Sequence, residues 1–145
     1  GPFNEPIVSE YGYQKDNNIA VIEIAKVAGL SLIDNDKRNP EYTTTYGAGA
    51  LIKDALDNGC KTIIFCVGGT GTNDAGMGML SALGVKFYDR NHNVLPGIGK
   101  ALISLYLSIC LSKETSNFFL LLENFKAINT KKIDIKPTII NIKIS

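Results

Sequence analysis

Short apolar runs and helix-spaced apolar residues alternate along the first ninety residues of the chain. The run 19–25 (IAVIEIA) is rich in β-branched residues and predicts a buried strand entering a short helix, which Gly29 would end. Residues 51–56 then place their apolar side chains on one face of a second helix. Thr43–Thr45 precede that helix and can cap it, and Asn58–Gly59 would end it.

The pattern continues with an unbroken apolar run at 61–67 (KTIIFCV), which is typical of a parallel strand covered on both faces. A glycine-rich loop follows, then a helix from about Ala75, a strand at 85–89 and a turn at 89–93. This order predicts an α/β fold. We expect a parallel or mixed sheet with helices on both faces.

Composition limits the classes of protein to which the chain can belong. The 145 residues are 45% hydrophobic and 20% charged, which fits one soluble globular domain. Fifteen Lys and Arg residues against fourteen Asp and Glu residues give a net charge of +1. This balance argues against a nucleic-acid partner, although a locally basic site can still bind a small anion. The longest apolar run, at 101–111, is too short for a membrane span, which takes about 20 residues.

Cysteine and histidine are too sparse for a metal centre or a disulfide framework. The three cysteines, Cys60, Cys66 and Cys110, form no CxxC pair, and His92 is the only histidine. An odd number of cysteines and the lack of an evident signal peptide predict a cytoplasmic protein. The sequence does not determine an oligomeric state.

The last third of the chain has a different texture. All fourteen glycines lie between Gly1 and Gly99, and residues 113–145 are rich in Lys, Ile and Asn. Isoleucines alternate with other residues at 133 and 135 and at 140, 142 and 144, so an edge strand is one interpretation of this tail. Because the chain opens on Gly1 and loses its pattern after Leu102, we expect it to be a piece of something longer.

The chemically informative segment is the loop after the second apolar run. It contains Gly68, Gly69, Thr70, Gly71, Thr72 and Asn73. Closely spaced glycines let backbone N–H groups converge on an anion, and the following helix N-terminus adds partial positive charge. A tight structural turn is the alternative. The loop is not a Walker motif, and Asp74 stands where a dinucleotide fingerprint has its last glycine.

Two further features flank this loop. Asp74 can cap the following helix, hold Mg²⁺ or accept a proton. Arg38 precedes the hydroxyl-rich helix start at Thr44 and Thr45, and these residues together are a plausible grip for a carboxylate or phosphate. A solvated loop followed by an ordinary helix cap is the alternative for this second cluster.

Several blocks resemble bacterial glycerate kinases of the large two-domain type. In chain order they are AVIEIAKVAGLSLI, KRNPEYTTTYGAGALIKDALDNGCKTII, GGTGTNDAGMGMLSALGVKFYD and GKAL, and the opening GPFNEP…YGY is also similar. The resemblance covers about residues 1–102. It departs from the family at Thr70 and Gly71, where members usually have Ser and Ala; the hydroxyl is kept and the glycine only loosens the loop.

The resemblance implies phosphorylation of D-glycerate by ATP with Mg²⁺, and a partial copy of the family's two-domain fold. It implies that the loop at 68–73 holds phosphate or glycerate oxygens and that Arg38 binds a carboxylate or phosphate. Asp74 would orient the attacking hydroxyl and accept its proton, or bind Mg²⁺. Which glycerate hydroxyl reacts is left open.

Family members are more than twice this length, so parts that complete the cleft have no counterpart here. We therefore expect little or no turnover from the isolated chain. A non-catalytic remnant of a kinase and a nucleotide-binding module of another class are the alternatives. Residues 103–145 are expected to be a divergent tail, because the family pattern ends abruptly. A frameshift, disorder and a real structural extension are the open interpretations of this tail. Reading the adjacent frame of the gene beyond codon 102 tests the frameshift.

Overall fold

A computed structural model describes residues 1–110 and 139–143, and its described part is an α/β fold. The helices are α1 (Ala25–Ala28), α2 (Tyr46–Asp57) and α3 (Met77–Ala82). Short 3₁₀ helices lie at Lys15–Asn17, Leu30–Leu32, Asn35–Lys37 and Gly99–Ser104. The strands are β1 (Gly12–Gln14), β2 (Ile19–Glu23), β3 (Thr62–Cys66), β4 (Lys86–Tyr88), β5 (Tyr106–Cys110) and β6 (Ile139–Lys143).

The larger sheet is mixed and has the strand order β1-β2-β3-β6. Its centre is the parallel pair β2 and β3, in register with Ile22 opposite Phe65. β1 and β6 flank this pair, each antiparallel to its neighbour. The predicted edge strand is therefore present at Ile140 and Ile142, whereas Ile133, Ile135 and Ile144 lie outside the described residues.

The main core lies on the face of this sheet that α1 and α2 cover. Ile22 and Ile63 are fully buried there beside Phe65, and Val27 and Ile52 pack against them from the two helices. Burying an isoleucine of this kind stabilises the fold by about 1.5–3 kcal/mol. The opposite face of β2 is more open to solvent: Val21, which lies on it, is 38% exposed. The period-two burial of β2 thus follows the alternation of its side chains.

Helix α3 begins later than the sequence predicts. The pattern suggested a start near Ala75, but Ala75 and Gly76 have left-handed backbone conformations, with φ of +51° and +77°. Right-handed helical geometry therefore starts only at Met77. A left-handed conformation is common for glycine but costly for alanine. The strained residue directly follows Asp74 in the sequence.

The strand after α3 does not join the parallel pair, contrary to the sequence prediction. Strand β4 instead pairs with β5 in a separate antiparallel sheet. Between β3 and β4, helix α3 lies against α2, and the two backbones are so close at Gly49 that an added Cβ would lie 2.7 Å from Ala82 Cβ. A second core of Met77, Val85, Phe87 and Ala101 forms there.

Within the described residues, none of the helices has the length and apolar character needed to cross a membrane.

Candidate functional site

The glycine-rich loop leaves the carboxyl end of β3 and is tied to the end of α1 by backbone hydrogen bonds. Leu30 N donates to Gly69 O at 2.9 Å, and Gly71 N donates to Ala28 O at 2.8 Å. Gly69 has φ of +73°, which favours glycine at that position. These contacts fix where the loop lies, so it is an ordered turn whose first residues remain at the surface.

The two ends of this loop differ in the space around them. A Cβ added to Gly68 would meet no atom within 4 Å. A Cβ added to Gly71 would lie 2.8 Å from Leu30 Cα and 2.9 Å from Ile33 Cδ1. The expectation that Gly71 only loosens the loop is therefore wrong, because its neighbours would have to shift to admit a Cβ, as the structural-turn alternative expects. Gly68 faces open space, as the anion-binding interpretation requires.

The side chains of the loop are also used unequally. Thr70 Oγ1 donates to Val67 O at 3.0 Å, and Asn73 is exposed. Thr72 Oγ1 is buried and has no hydrogen-bond partner among the described residues. A buried hydroxyl without a partner is unfavourable by about 1–3 kcal/mol, so this oxygen marks a place where a ligand or water could be bound.

Asp74 is buried, with 1% of its surface exposed, and its carboxylate accepts hydrogen bonds from protein donors on both oxygens. Gly76 N donates to Oδ1 at 2.9 Å, and Gly78 N donates to Oδ2 at 3.0 Å. Thr45 N donates to Oδ2 at 2.8 Å, and Thr45 Oγ1 lies 2.8 Å from Oδ2 and 3.1 Å from Oδ1. The carboxylate thus joins the start of α2 to the start of α3. Of the three roles considered for Asp74, capping of the following helix agrees best with these contacts.

The three threonines before α2 have separate partners. Thr45 Oγ1 accepts from Met79 N at 2.9 Å while donating to Asp74, so it bridges two helices. Thr44 Oγ1 accepts from Tyr46 N at 3.1 Å, which is the expected local cap, and also donates to Gly97 O. Thr43 Oγ1 lies 3.4 Å from Gly71 O. Thr45 is thus the N-cap residue of α2 without a side-chain capping hydrogen bond, and Thr44, one residue earlier, accepts from the first amide of the helix.

These contacts decide whether Asp74 fits Mg²⁺ in the described conformation, and it does not. Mg²⁺ binds carboxylate oxygens at about 2.0–2.1 Å and keeps several waters. Here N–H and O–H donors occupy both oxygens, and the residue has almost no exposure. Within the described residues there is also no group of three or more His, Cys, Asp or Glu side chains that could hold a metal.

Arg38 is not part of the junction that Asp74 forms with Thr45, Gly76 and Gly78. Its Nε donates to Ile33 O at 3.3 Å, and the side chain is exposed. No ion pair joins it to another described residue, whereas the neighbouring Lys37 pairs with Asp34 at 2.8 Å. Because Ile33 is also in the packing around Gly71, Arg38 belongs to a segment that borders the glycine loop.

Lys100 is a second cation that the fold brings to this region, and it was not among the residues predicted from the sequence. Its backbone N donates to Glu41 O at 2.7 Å, and its Nζ donates to Tyr42 Oη at 3.2 Å. This hydrogen bond raises the pKa of Lys100 above its ordinary value. The neighbouring Gly99 packs so tightly that an added Cβ would lie 2.8 Å from Asn73 O. The only sequence signal was the Gly99–Lys100 pair, which is distant from the loop along the chain.

Comparison with known proteins assigns the chain to a family. A sequence profile described as "Glycerate kinase family" matches residues 1–118. The chain belongs to the glycerate kinase family. The match extends past Leu102, and the proposed boundary between 1–102 and 103–145 stays a prediction.

Individual relatives agree with this assignment. The chain is similar to a glycerate kinase of Halalkalibacterium halodurans, with 48% identity over 91 residues, 63% of this chain and 24% of the relative. A glycerate kinase of Bacillus cereus is 47% identical over 105 residues, 72% of this chain and 28% of the relative. A solved structure named as a glycerate kinase 2 of Salmonella typhimurium LT2 superposes with a TM-score of 0.72 at 39% identity, covering 77% of this chain and 30% of that one.

The chain thus spans about a quarter of the length of the curated relatives it matches. The α/β fold and the resemblance predicted from the sequence are confirmed, and the fold is a partial copy of that of the solved relative. Membership of this family replaces the alternative of a nucleotide-binding module of another class.

Proposed function

We propose that this chain serves in the ATP-dependent phosphorylation of D-glycerate to a phosphoglycerate, with Mg²⁺ supplied together with the nucleotide, in the cytoplasm. The observation that carries the proposal is the ordered loop 68–73 in a member of the glycerate kinase family. Its Gly68 end opens to solvent. Phosphoryl transfer depends mainly on positioning and on neutralising charge, and such a loop can do both.

In this proposal the loop binds anionic oxygens through its backbone N–H groups. Gly68, Gly69 and Thr70 form the exposed side of that site, and the buried Thr72 hydroxyl supplies a further hydrogen bond. Gly71 and Asn73 shape its other end. An anion in this position gains several N–H donors without needing a nearby lysine.

Arg38 is the proposed cationic partner of the glycerate carboxylate or of a phosphate. Its guanidinium is exposed, and its segment borders the loop through Ile33. A guanidinium binds either anion with two parallel hydrogen bonds, which fixes the orientation of the ligand. Thr44 and Thr45 contribute indirectly, because their hydroxyls are engaged within the protein.

The second candidate is that the chain is a non-catalytic remnant of a kinase. The small share of each relative that this chain covers favours it. About three quarters of each relative has no counterpart in the matched region. We expect the isolated chain to bind anions weakly and to show little or no turnover.

A coupled assay with D-glycerate and MgATP, run beside a titration with inorganic phosphate or D-glycerate, tests both candidates. Amide shifts at residues 68–73 that saturate with ligand support the binding site. Arg38→Ala should weaken binding at least threefold, and the matched control Lys37→Ala should not, because Lys37 is already paired with Asp34. Saturable binding that is equally insensitive to both variants would remove Arg38 from the proposal. No binding of either ligand would leave the remnant as the better account.

A further inference from the structure

We propose that Asp74 is a positioning residue: it fixes Thr45 and the two helix starts beside the glycine loop, and it neither accepts the substrate proton nor ligates Mg²⁺. This inference goes beyond the proposed function. It rests on that function only in taking the glycine loop as the anion-binding site that Asp74 helps to position. Both oxygens of Asp74 already accept hydrogen bonds from Thr45, Gly76 and Gly78. A proton acceptor must instead lie within hydrogen-bond reach of the substrate hydroxyl.

The local backbone is built around this carboxylate. Ala75 adopts φ of +51° and Gly76 φ of +77°, and these two residues lie beside Gly76 N and Gly78 N, two of the three backbone amides that donate to Asp74. An alanine keeps such a conformation only where surrounding contacts hold it in place. Gly78 has no room for a Cβ, which would lie 2.8 Å from Asp74 Oδ2 and 2.7 Å from Tyr46 N. Strain and close packing on both sides indicate a junction made for this one side chain.

No cation pairs with the buried carboxylate among the described residues, so its observed partners are backbone amides and one hydroxyl. The amides of Thr45 and Gly78 lie at the starts of α2 and α3, where partial positive charge is greatest. Thr45 completes the junction by accepting from Met79 N. Asp74 therefore acts on the loop through its neighbours, and the loop ends one residue before it.

The first test needs no activity. In the uniformly ¹³C,¹⁵N-labelled chain, we expect the Asp74 carboxyl carbon to keep its chemical shift up to 10 mM MgCl₂. A saturable shift of that carbon with Mg²⁺ would overturn the proposal. We also expect the amides of Thr45, Gly76 and Gly78 to exchange with solvent at least tenfold more slowly than the exposed Asn73 amide. Equally fast exchange would overturn it as well.

Variants at Thr45 give the second test and avoid the risk that Asp74→Ala fails to fold. Thr45→Val keeps the shape and removes the hydroxyl, so exchange at Met79 and Gly78 should accelerate at least fivefold. Thr45→Ser restores the hydroxyl and should return both rates to near wild type. Acceleration by both variants, or by neither, contradicts the role assigned to the hydroxyl.

The third test separates positioning from simple stability. With inorganic phosphate as the probe, Thr45→Val should weaken binding at residues 68–73 about three- to tenfold. The core control Ile63→Val should leave that binding unchanged despite its cost in stability. Equal weakening by both variants means a merely structural role. If the wild type binds no phosphate, the proposed function fails while the magnesium and exchange measurements still decide the role of Asp74.

Discussion

Two consecutive segments of this chain, 68–73 and 74–78, have similar residues but different roles. Both are rich in glycine and contain backbone N–H groups that can surround an anion. In the first, Gly68 opens to solvent and Thr72 has a buried hydroxyl without a partner among the described residues. In the second, the anion is already present as the side chain of Asp74. The comparison shows that a carboxylate next to a glycine-rich loop can itself take up the backbone N–H groups of the turn that follows the loop.

The largest expected effect is the loss of stability when Asp74 is replaced, compared with the replacement of a surface carboxylate. Asp74→Ala leaves several buried donors without partners, so we expect the free energy of unfolding to fall by about 3–5 kcal/mol. Urea unfolding measures this change. Asp57→Ala is the control, because Asp57 forms an exposed pair with Lys53; its loss should be less than about 0.5 kcal/mol. Equal losses from the two variants would mean that the junction contributes nothing special.

The next effect compares one glycine from each segment. Gly78→Ala forces a Cβ to within 2.8 Å of Asp74 Oδ2 and should cost about 1–3 kcal/mol. Gly68→Ala places its Cβ in open space and should change stability by less than about 0.5 kcal/mol. Thermal unfolding of both variants checks the difference. The same Gly68→Ala protein should nevertheless bind phosphate more weakly, and unchanged affinity would count against the loop as the binding site.

A smaller effect concerns the hydroxyl that links the helices. Thr45→Val removes one donor to Asp74 and one acceptor for Met79 N, and should lower the free energy of unfolding by about 1–2 kcal/mol. Thr45→Ser should recover most of that loss in the same urea measurement. A serine variant as unstable as the valine variant would show that the methyl group, and not the hydroxyl, is what matters.

The smallest effect comes from Asp89, an exposed counterpart of Asp74. Its carboxylate accepts from Asn93 Nδ2 and from the backbone amides of Asn93 and Asn91, and these bonds lower its pKa, the Asn93 side chain contributing most. The stabilisation is present above the ordinary Asp pKa and is lost as pH falls through the lowered folded pKa. Wild type should therefore lose slightly more stability than Asp89→Asn below pH 4, measured by urea midpoints. An identical pH dependence would contradict this assignment.

Much of this fold was predictable because its signals are local. The β-branched run at 19–25 and the unbroken run at 61–67 correspond to β2 and β3, and the stop at Asn58–Gly59 matches the end of α2. Each depends on residues close together in sequence, whose spacing determines which face is buried. The family assignment likewise depended on several blocks that agree in order.

The parts that were not predictable depend on contacts between distant residues. Ala75 is left-handed and α3 starts only after it, and β4 pairs with β5, a strand outside the local pattern that predicts β4. The link from Thr45 to Asp74 spans 29 residues, so no local pattern could reveal it. The sequence could place a carboxylate at a helix start. It could not tell that four protein donor groups would already surround it.

The most direct test of the account is a single titration of the labelled wild-type chain with inorganic phosphate, followed amide by amide. We expect saturable shifts at residues 68–73, with the amides of Thr45, Gly76 and Gly78 unshifted and still protected from exchange. Shifts centred on Gly76 and Gly78, with their protection lost as phosphate binds, would contradict it, because the ligand would then be replacing the carboxylate of Asp74.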